Sequence, residues 1–178
     1  MDLPATIWTI GHSTRGADEF VSVLQAHAIE LVADVRRFPG SRRHPHFGSE
    51  ALEQTLAGAG IDYAWLARLG GRRQGDSTAD QAGWRNPSFR AYAAYTWSEE
   101  FAQGLEQLLH IACGKRTTLM CSELLWWRCH RALVADVLRF LGVEVVHLAG
   151  AAAGTAHPYT SPARIADGQL SYPAGDCC

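Results

Sequence analysis

Six side chains able to do chemistry crowd into residues 121–131: Cys121, Glu123, Arg128, Cys129, His130 and Arg131. They follow an apolar, β-rich run at 116–121 and precede a helical stripe of Val134, Val137, Leu138 and Leu141. The stretch therefore reads as strand, short loop and first turn of a helix. In an open α/β sheet such a junction is where ligands bind. A thiol at a helix N-terminus beside arginine and histidine has its thiolate favoured by the helix dipole and the cations. Cys129 fits that description, and Cys121 is placed to resolve it or share its work. Together they suit a nucleophile or a redox pair, against the simpler alternative of two small buried hydrophobes. Cys121, Cys129, His130 and His12 match no usual zinc spacing, so no metal or other cofactor is expected.

A parallel sheet brings all its strand ends to one edge. Besides Cys121 and Glu123, that edge collects His12 and Ser13 after the first strand, Asp34 and Arg36 at the second, and His147 at the fifth. Asp34 and Arg36 lie two apart and so share a face; they serve either as acid–base and anion-binding groups or as a structural ion pair. The segment from Arg36 to Phe47 holds Arg36, Arg37, Arg42, Arg43, His44 and His46 with no acid among them, bracketed by Phe38 and Phe47. Arginines with aromatic neighbours suit phosphate contact and base stacking. Trp126 and Trp127, beside Arg128, offer a second stacking surface. The alternative is a solvated basic loop. Gly114-Lys115-Arg116-Thr117 imitates a phosphate-binding loop but precedes a strand, where that motif must follow one. The Cys121 loop lacks the glycines of a phosphatase cradle.

The elements that would position these groups alternate regularly. Strands are predicted at 7–10, 31–35, 61–66, 116–121 and 143–148. Helices are predicted after Asp18 and Glu19, after an N-cap at Ser49, over 89–95, after a capping box of Thr96 and Glu99, and after Cys129. Residues 69–87, rich in glycine, read as an irregular excursion. Residues 150–178 read as a tail lying over the body, with Cys177 and Cys178 frayed. Five strands alternating with helices predict one α/β domain over 1–178, a mostly parallel open sheet covered on both faces.

Composition narrows the class. At 178 residues with 47% hydrophobic and 19% charged side chains, the chain is an ordinary globular domain. A net charge of -2 excludes general polyanion binding by the whole surface. No apolar run reaches the ~18 residues of a membrane span, no leader is evident, and five irregularly spaced cysteines make no disulfide framework. A cytoplasmic setting with reduced thiols, and no membrane partner, is expected.

Thr-Ile-Gly-His-Ser at 9–13, Asp-Val-Arg at 34–36, Asn-Pro-Ser-Phe-Arg at 86–90, Met-Cys-Ser-Glu at 120–123, Cys-His-Arg at 129–131 and His-Pro-Tyr-Thr at 157–160 resemble the family catalogued as domain of unknown function 488. The resemblance implies an α/β fold and a bacterial, cytoplasmic protein, and no established reaction. Its motifs fall on the strand-end residues already singled out. The expected function is an enzyme acting on a phosphate-bearing small molecule or nucleic acid. Cys121 or Cys129 would be the nucleophile, Glu123, Asp34 or His12 the acid–base group, and Arg36, Arg131, His130 and Ser13 the anion site. A non-catalytic nucleic-acid-binding module built on Arg37, Arg42, Arg43, Trp126 and Trp127 is the second expectation.

Overall fold

Strands whose side chains are buried on both sides form the centre of this protein, and the helices cover them. The structure, a computed structural model, describes residues 3–75 and 79–175. Along the chain come β1 (Thr6–Gly11), α1 (Ala17–Ala26), β2 (Leu31–Asp34), α2 (Ser49–Gly58), β3 (Asp62–Trp65), α3 (Pro87–Tyr95), α4 (Glu99–Ala112), β4 (Thr117–Cys121), α5 (Arg131–Phe140) and β5 (Glu144–Leu148). Three short strands follow, β6 (Thr155–Ala156), β7 (Arg164–Ala166) and β8 (Gln169–Ser171).

The six-stranded sheet runs β3-β2-β4-β1-β5-β6, parallel except for β6. The chain leaves β1, builds β2 and β3, and returns to insert β4 between β1 and β2. That reversal gathers the loops after β1, β2 and β4 over the middle of the sheet. Period-two alternation divides the core. On one face Ile10, Val32 and Met120 pack under Phe20 and Leu24 of α1 and Leu52 and Leu56 of α2. On the other, Ile7, Ala33, Leu119 and Val145 pack under Leu105, Leu108 and Leu109 of α4 and Leu133 and Val134 of α5.

The mostly parallel α/β architecture is as expected, with two refinements. The last segment is a structural part of the body. It adds β6 to the outer edge of β5 and forms the β7–β8 hairpin, and Leu170 and Tyr172 are buried beside it. The expected N-caps also move: Ser98, not Thr96, accepts from the Phe101 amide to start α4, and Gly48 rather than Ser49 precedes α2. The expected fraying of Cys177 and Cys178, and residues 76–78 of the glycine-rich excursion, lie outside the described residues. No helix among the described residues is long and apolar enough to cross a membrane.

Candidate active site

An open cleft of about 860 Å³ lies over the ends of the three central strands. His12, Ser13, Arg36, Arg37, Arg42, Arg43, Cys121, Glu123, Cys129 and His130 all line it, as the strand-end argument requires. Two clusters meet there from opposite faces of the sheet.

The first is built on β2. Asp34 and Arg36 are both buried and share a face; Arg36 Nε lies 2.9 Å and 3.1 Å from the two oxygens of Asp34, and Nη2 lies 2.6 Å from Oδ2. Tyr63 donates to the same Oδ2 at 2.7 Å, and Arg36 Nη1 donates to the Phe47 carbonyl at 2.7 Å. Burial opposes the Arg36 charge, but the bonds to Asp34 outweigh it and raise the pKa. Tyr63 is raised too, by burial and then by Asp34. His12 stacks on Phe47 at 4.2 Å. Its Nδ1 lies 2.9 Å from the Ser13 carbonyl, which can only accept, so Nδ1 carries the proton and Nε2 is bare. Burial drives the His12 pKa down to about 4, with Arg36 adding to the effect and the Ser13 bond opposing it. At neutral pH it is an uncharged ring whose free lone pair faces Arg36 Nη1 at 3.5 Å.

The second cluster joins the end of β4 to the start of α5. Cys121 and Cys129 are both buried. Helix α5 begins at Arg131, with Cys129 in extended backbone before the His130 cap. The helix dipole thus contributes less at Cys129 than expected; neighbouring side chains do the work. His130 Nε2 donates to the Val35 carbonyl at 3.0 Å, and Nδ1 lies 3.6 Å from the Cys129 sulfur, where it supports a thiolate only in the doubly protonated ring. Arg131 Nε donates to the same sulfur at 3.4 Å. Burial alone would push the Cys129 thiol up. The hydrogen bond from Cys121 and the charge and bonds of Arg131 reverse that, bringing it down to about 6. Cys121 moves the opposite way, to about 12, because it is hydrogen-bonded to Cys129 and buried. Arg131 touches the Cys129 sulfur and not that of Cys121, so of the two thiols Cys129 is the one whose anion is favoured. This selects between the two cysteines that the sequence leaves equivalent.

Arg131 was expected to bind an anion directly. Its guanidinium instead points inward, 1% exposed, and binds the Cys129 sulfur, the Thr9 hydroxyl and the Glu123 carbonyl. Arg36 is largely taken by Asp34 and Phe47. The guanidiniums that face the cleft with fewer commitments belong to Arg37, Arg42, Arg43, Arg72 and Arg128. Trp126 and Trp127 do not line it; Trp126 lies flat on His147 at 4.3 Å, leaving Trp127 half exposed. His147, placed at the sheet edge by its sequence position, is buried beneath that indole.

Two glycines are required by close approach. A Cβ on Gly11 would sit 1.9 Å from the Glu123 carbonyl, so the β4 loop can cross β1 only there. A Cβ on Gly71 would sit 2.7 Å from His130 Nδ1. Sequence reasoning passed over both, together with Arg72 and Tyr92; the Gly-Gly at 70–71 was the available signal. Cys121, Cys129 and His130 also bring three ligand atoms within 4.8 Å of one another, a set suited to zinc. The Arg131 guanidinium already on the Cys129 sulfur sets a fixed cation beside the place the ion would take, and this favours a free thiolate.

Residues 16–138, more than half the chain, match the family model described as Domain of unknown function DUF488. The chain belongs to this family. The match includes Asp34, Arg36, Cys121, Glu123, Cys129, His130 and Arg131, and ends before the His147 and His157 segments of the DUF488 chain. The chain matches no curated protein and no solved structure.

Proposed function

We propose that this protein is an enzyme acting on a phosphate-bearing substrate, with Cys129 as its nucleophile. The observation that carries the reading is a thiolate-stabilising cluster on the floor of an arginine-walled cleft. Arg37, Arg42, Arg43, Arg72 and Arg128 hold the phosphate by charge-assisted hydrogen bonds. The Cys129 sulfur bonds to an electrophilic atom of the bound substrate as the bond to the leaving group breaks, and the leaving group takes a proton from solvent. Water then cleaves the covalent intermediate, giving its proton to Glu123 or to Nε2 of His12, and the thiolate returns.

The test is alkylation of each thiol as a function of pH, read by peptide mass spectrometry, with exposed Cys113 as the internal reference. Cys129 should react fastest below pH ~8, where an ordinary thiol is protonated. Adenosine monophosphate or a 5′-phosphorylated oligonucleotide should slow it, and Cys129→Ser should remove the signal. A Cys129 that stays inert until the protein unfolds ends this reading.

A second reading has one observation in its favour. A further groove of about 660 Å³ shares Arg37, Phe38 and Arg72 with the cleft, and Phe38 on that shared ridge is 65% exposed. A single strand could track the arginines and stack on Phe38. For a non-catalytic module, oligonucleotide binding would fall steeply with salt and survive Cys129→Ser.

A further inference from the structure

A line of buried polar groups leads away from the reactive sulfur, on the α5 side of the sheet. Arg131 Nη1 donates to Thr9 Oγ1 at 3.3 Å. With that oxygen receiving a proton, the Thr9 hydroxyl hydrogen is directed to His147 Nδ1, 2.7 Å away. His147 must then carry its proton on Nε2, which faces His157 Nδ1 at 2.8 Å. His157 in turn donates from Nε2 to Asp136 Oδ1 at 2.9 Å. Asp136 also accepts from the Thr160 amide, the Thr160 hydroxyl and the Tyr172 hydroxyl, the acceptor-only pattern of a carboxylate. Every donor points from the guanidinium to the carboxylate, so one pair of histidine tautomers satisfies the whole chain. Thr9, His147, His157 and Asp136 are all buried, and none lines the cleft.

A buried charge without a counter-charge is costly. Among the described residues, no carboxylate forms a salt bridge with Arg131. Its Nε meets the Cys129 sulfur, its Nη1 meets the Thr9 hydroxyl of this chain, and its Nη2 meets the uncharged Glu123 and Leu124 carbonyls. Hydrogen-bond chains in a low-dielectric interior polarise one another, so a carboxylate at the far end steadies the cation at the near end.

We propose that Asp136, acting through His157, His147 and Thr9, is a positioning residue that fixes Arg131 against the Cys129 sulfur and keeps that sulfur anionic. The inference rests on the thiolate reading above. The other groups facing the sulfur are Cys121 from β4, His130 from the turn before α5 and Tyr92 from α3, whose ring lies 5.0 Å from that of His130. Asp136 reaches the sulfur only through Arg131. Neutral rings suit the chain, and His147 is held neutral by burial, with His157 and Arg131 adding to the effect.

The deciding experiment pairs alkylation with nitrogen-15 NMR of the histidine rings. Thr9→Val, nearly isosteric, cuts the chain at its narrowest link, and Asp136→Asn removes the charge. Both should slow alkylation of Cys129 at pH ~5 about tenfold, equivalent to a one-unit rise of its titration midpoint, while melting transitions show each variant folded. In the unmodified protein, His147 and His157 should both be neutral with the proton on Nε2. The His147 nitrogens should register a titration whose midpoint coincides with that of Cys129 alkylation, since such coupling is reciprocal. If wild-type Cys129 reacts no faster than Cys113, the thiolate reading itself falls, and this inference with it. If wild-type Cys129 is reactive but folded variants keep its pH profile, the relay alone is overturned. Should the variants fail to fold, the NMR decides: a protonated or Nδ1–H ring, or a His147 blind to the Cys129 titration, overturns it.

Discussion

The two clusters that flank the cleft use the same parts to opposite ends. On one side Arg36 is bound by both oxygens of Asp34, two residues away on the same strand, and Tyr63 and Phe47 take up the remaining capacity. On the other side Arg131 has, among the described residues, no carboxylate beside it; its counter-ion in the chain, Asp136, stands beyond a threonine and two histidines. A guanidinium neutralised at contact has little field left for anything else, and serves as structure. A guanidinium neutralised from a distance keeps its field for the groups in contact with it, one of which here is a sulfur. The reactivity of a buried cation follows from where its partner is placed more than from how deeply it is buried.

That contrast can be broken at several strengths. Asp34→Ala should give the largest effect, because it strands the Arg36 charge in the interior. We expect a loss of about 3–5 kcal/mol, seen as a large drop in the thermal midpoint. Next comes pH. His12 and His147 both have folded pKa values below the ordinary 6.5, about 4 and about 3. The unfolded chain therefore binds protons first as pH falls below ~6.5, and each ring should remove up to ~1.4 kcal/mol of stability per pH unit until its folded value is reached. Denaturant titrations from pH 7 to pH 4 would measure this slope, and a flat profile would contradict both buried neutral rings. Tyr63→Phe should be the mildest, costing about 1 kcal/mol for one lost hydrogen bond. It should leave Cys129 alkylation unchanged. A matching change in thiol reactivity would show that the clusters are coupled and the contrast is false.

Much of this arrangement could be read from local pattern. Asp34 and Arg36 share a face because a strand has period two, and they pair as that spacing allows. Cys121, Cys129 and His130 converge because strand ends of a parallel sheet must. What escaped was set by distant packing. The direction of Arg131 depends on Thr9, 122 positions away, as well as on Cys129 and the carbonyls of the preceding loop. His147 looked like an edge residue, but Trp126 covers it from another loop. Strands β6 to β8 are two or three residues long and lie in an Ala-, Gly- and Pro-rich stretch. Such strands are too short to show alternation, so the segment read as a tail.

That segment carries a consequence for the order in which the protein is made. Tyr172 exchanges backbone hydrogen bonds with Asp80 and Gly83 and brings its hydroxyl to Asp136, while Thr160 supplies two more donors. Chains are synthesised and begin to fold from the N-terminus. Until residues 155–172 have emerged and docked, Asp136 lacks all four of its donors and Arg131 is not yet braced. Cys129 is translated well before then, and on this view spends its nascent life as an ordinary thiol. Residues 155–172 would serve as a safety catch, arming the sulfur only once the fold around it is closed.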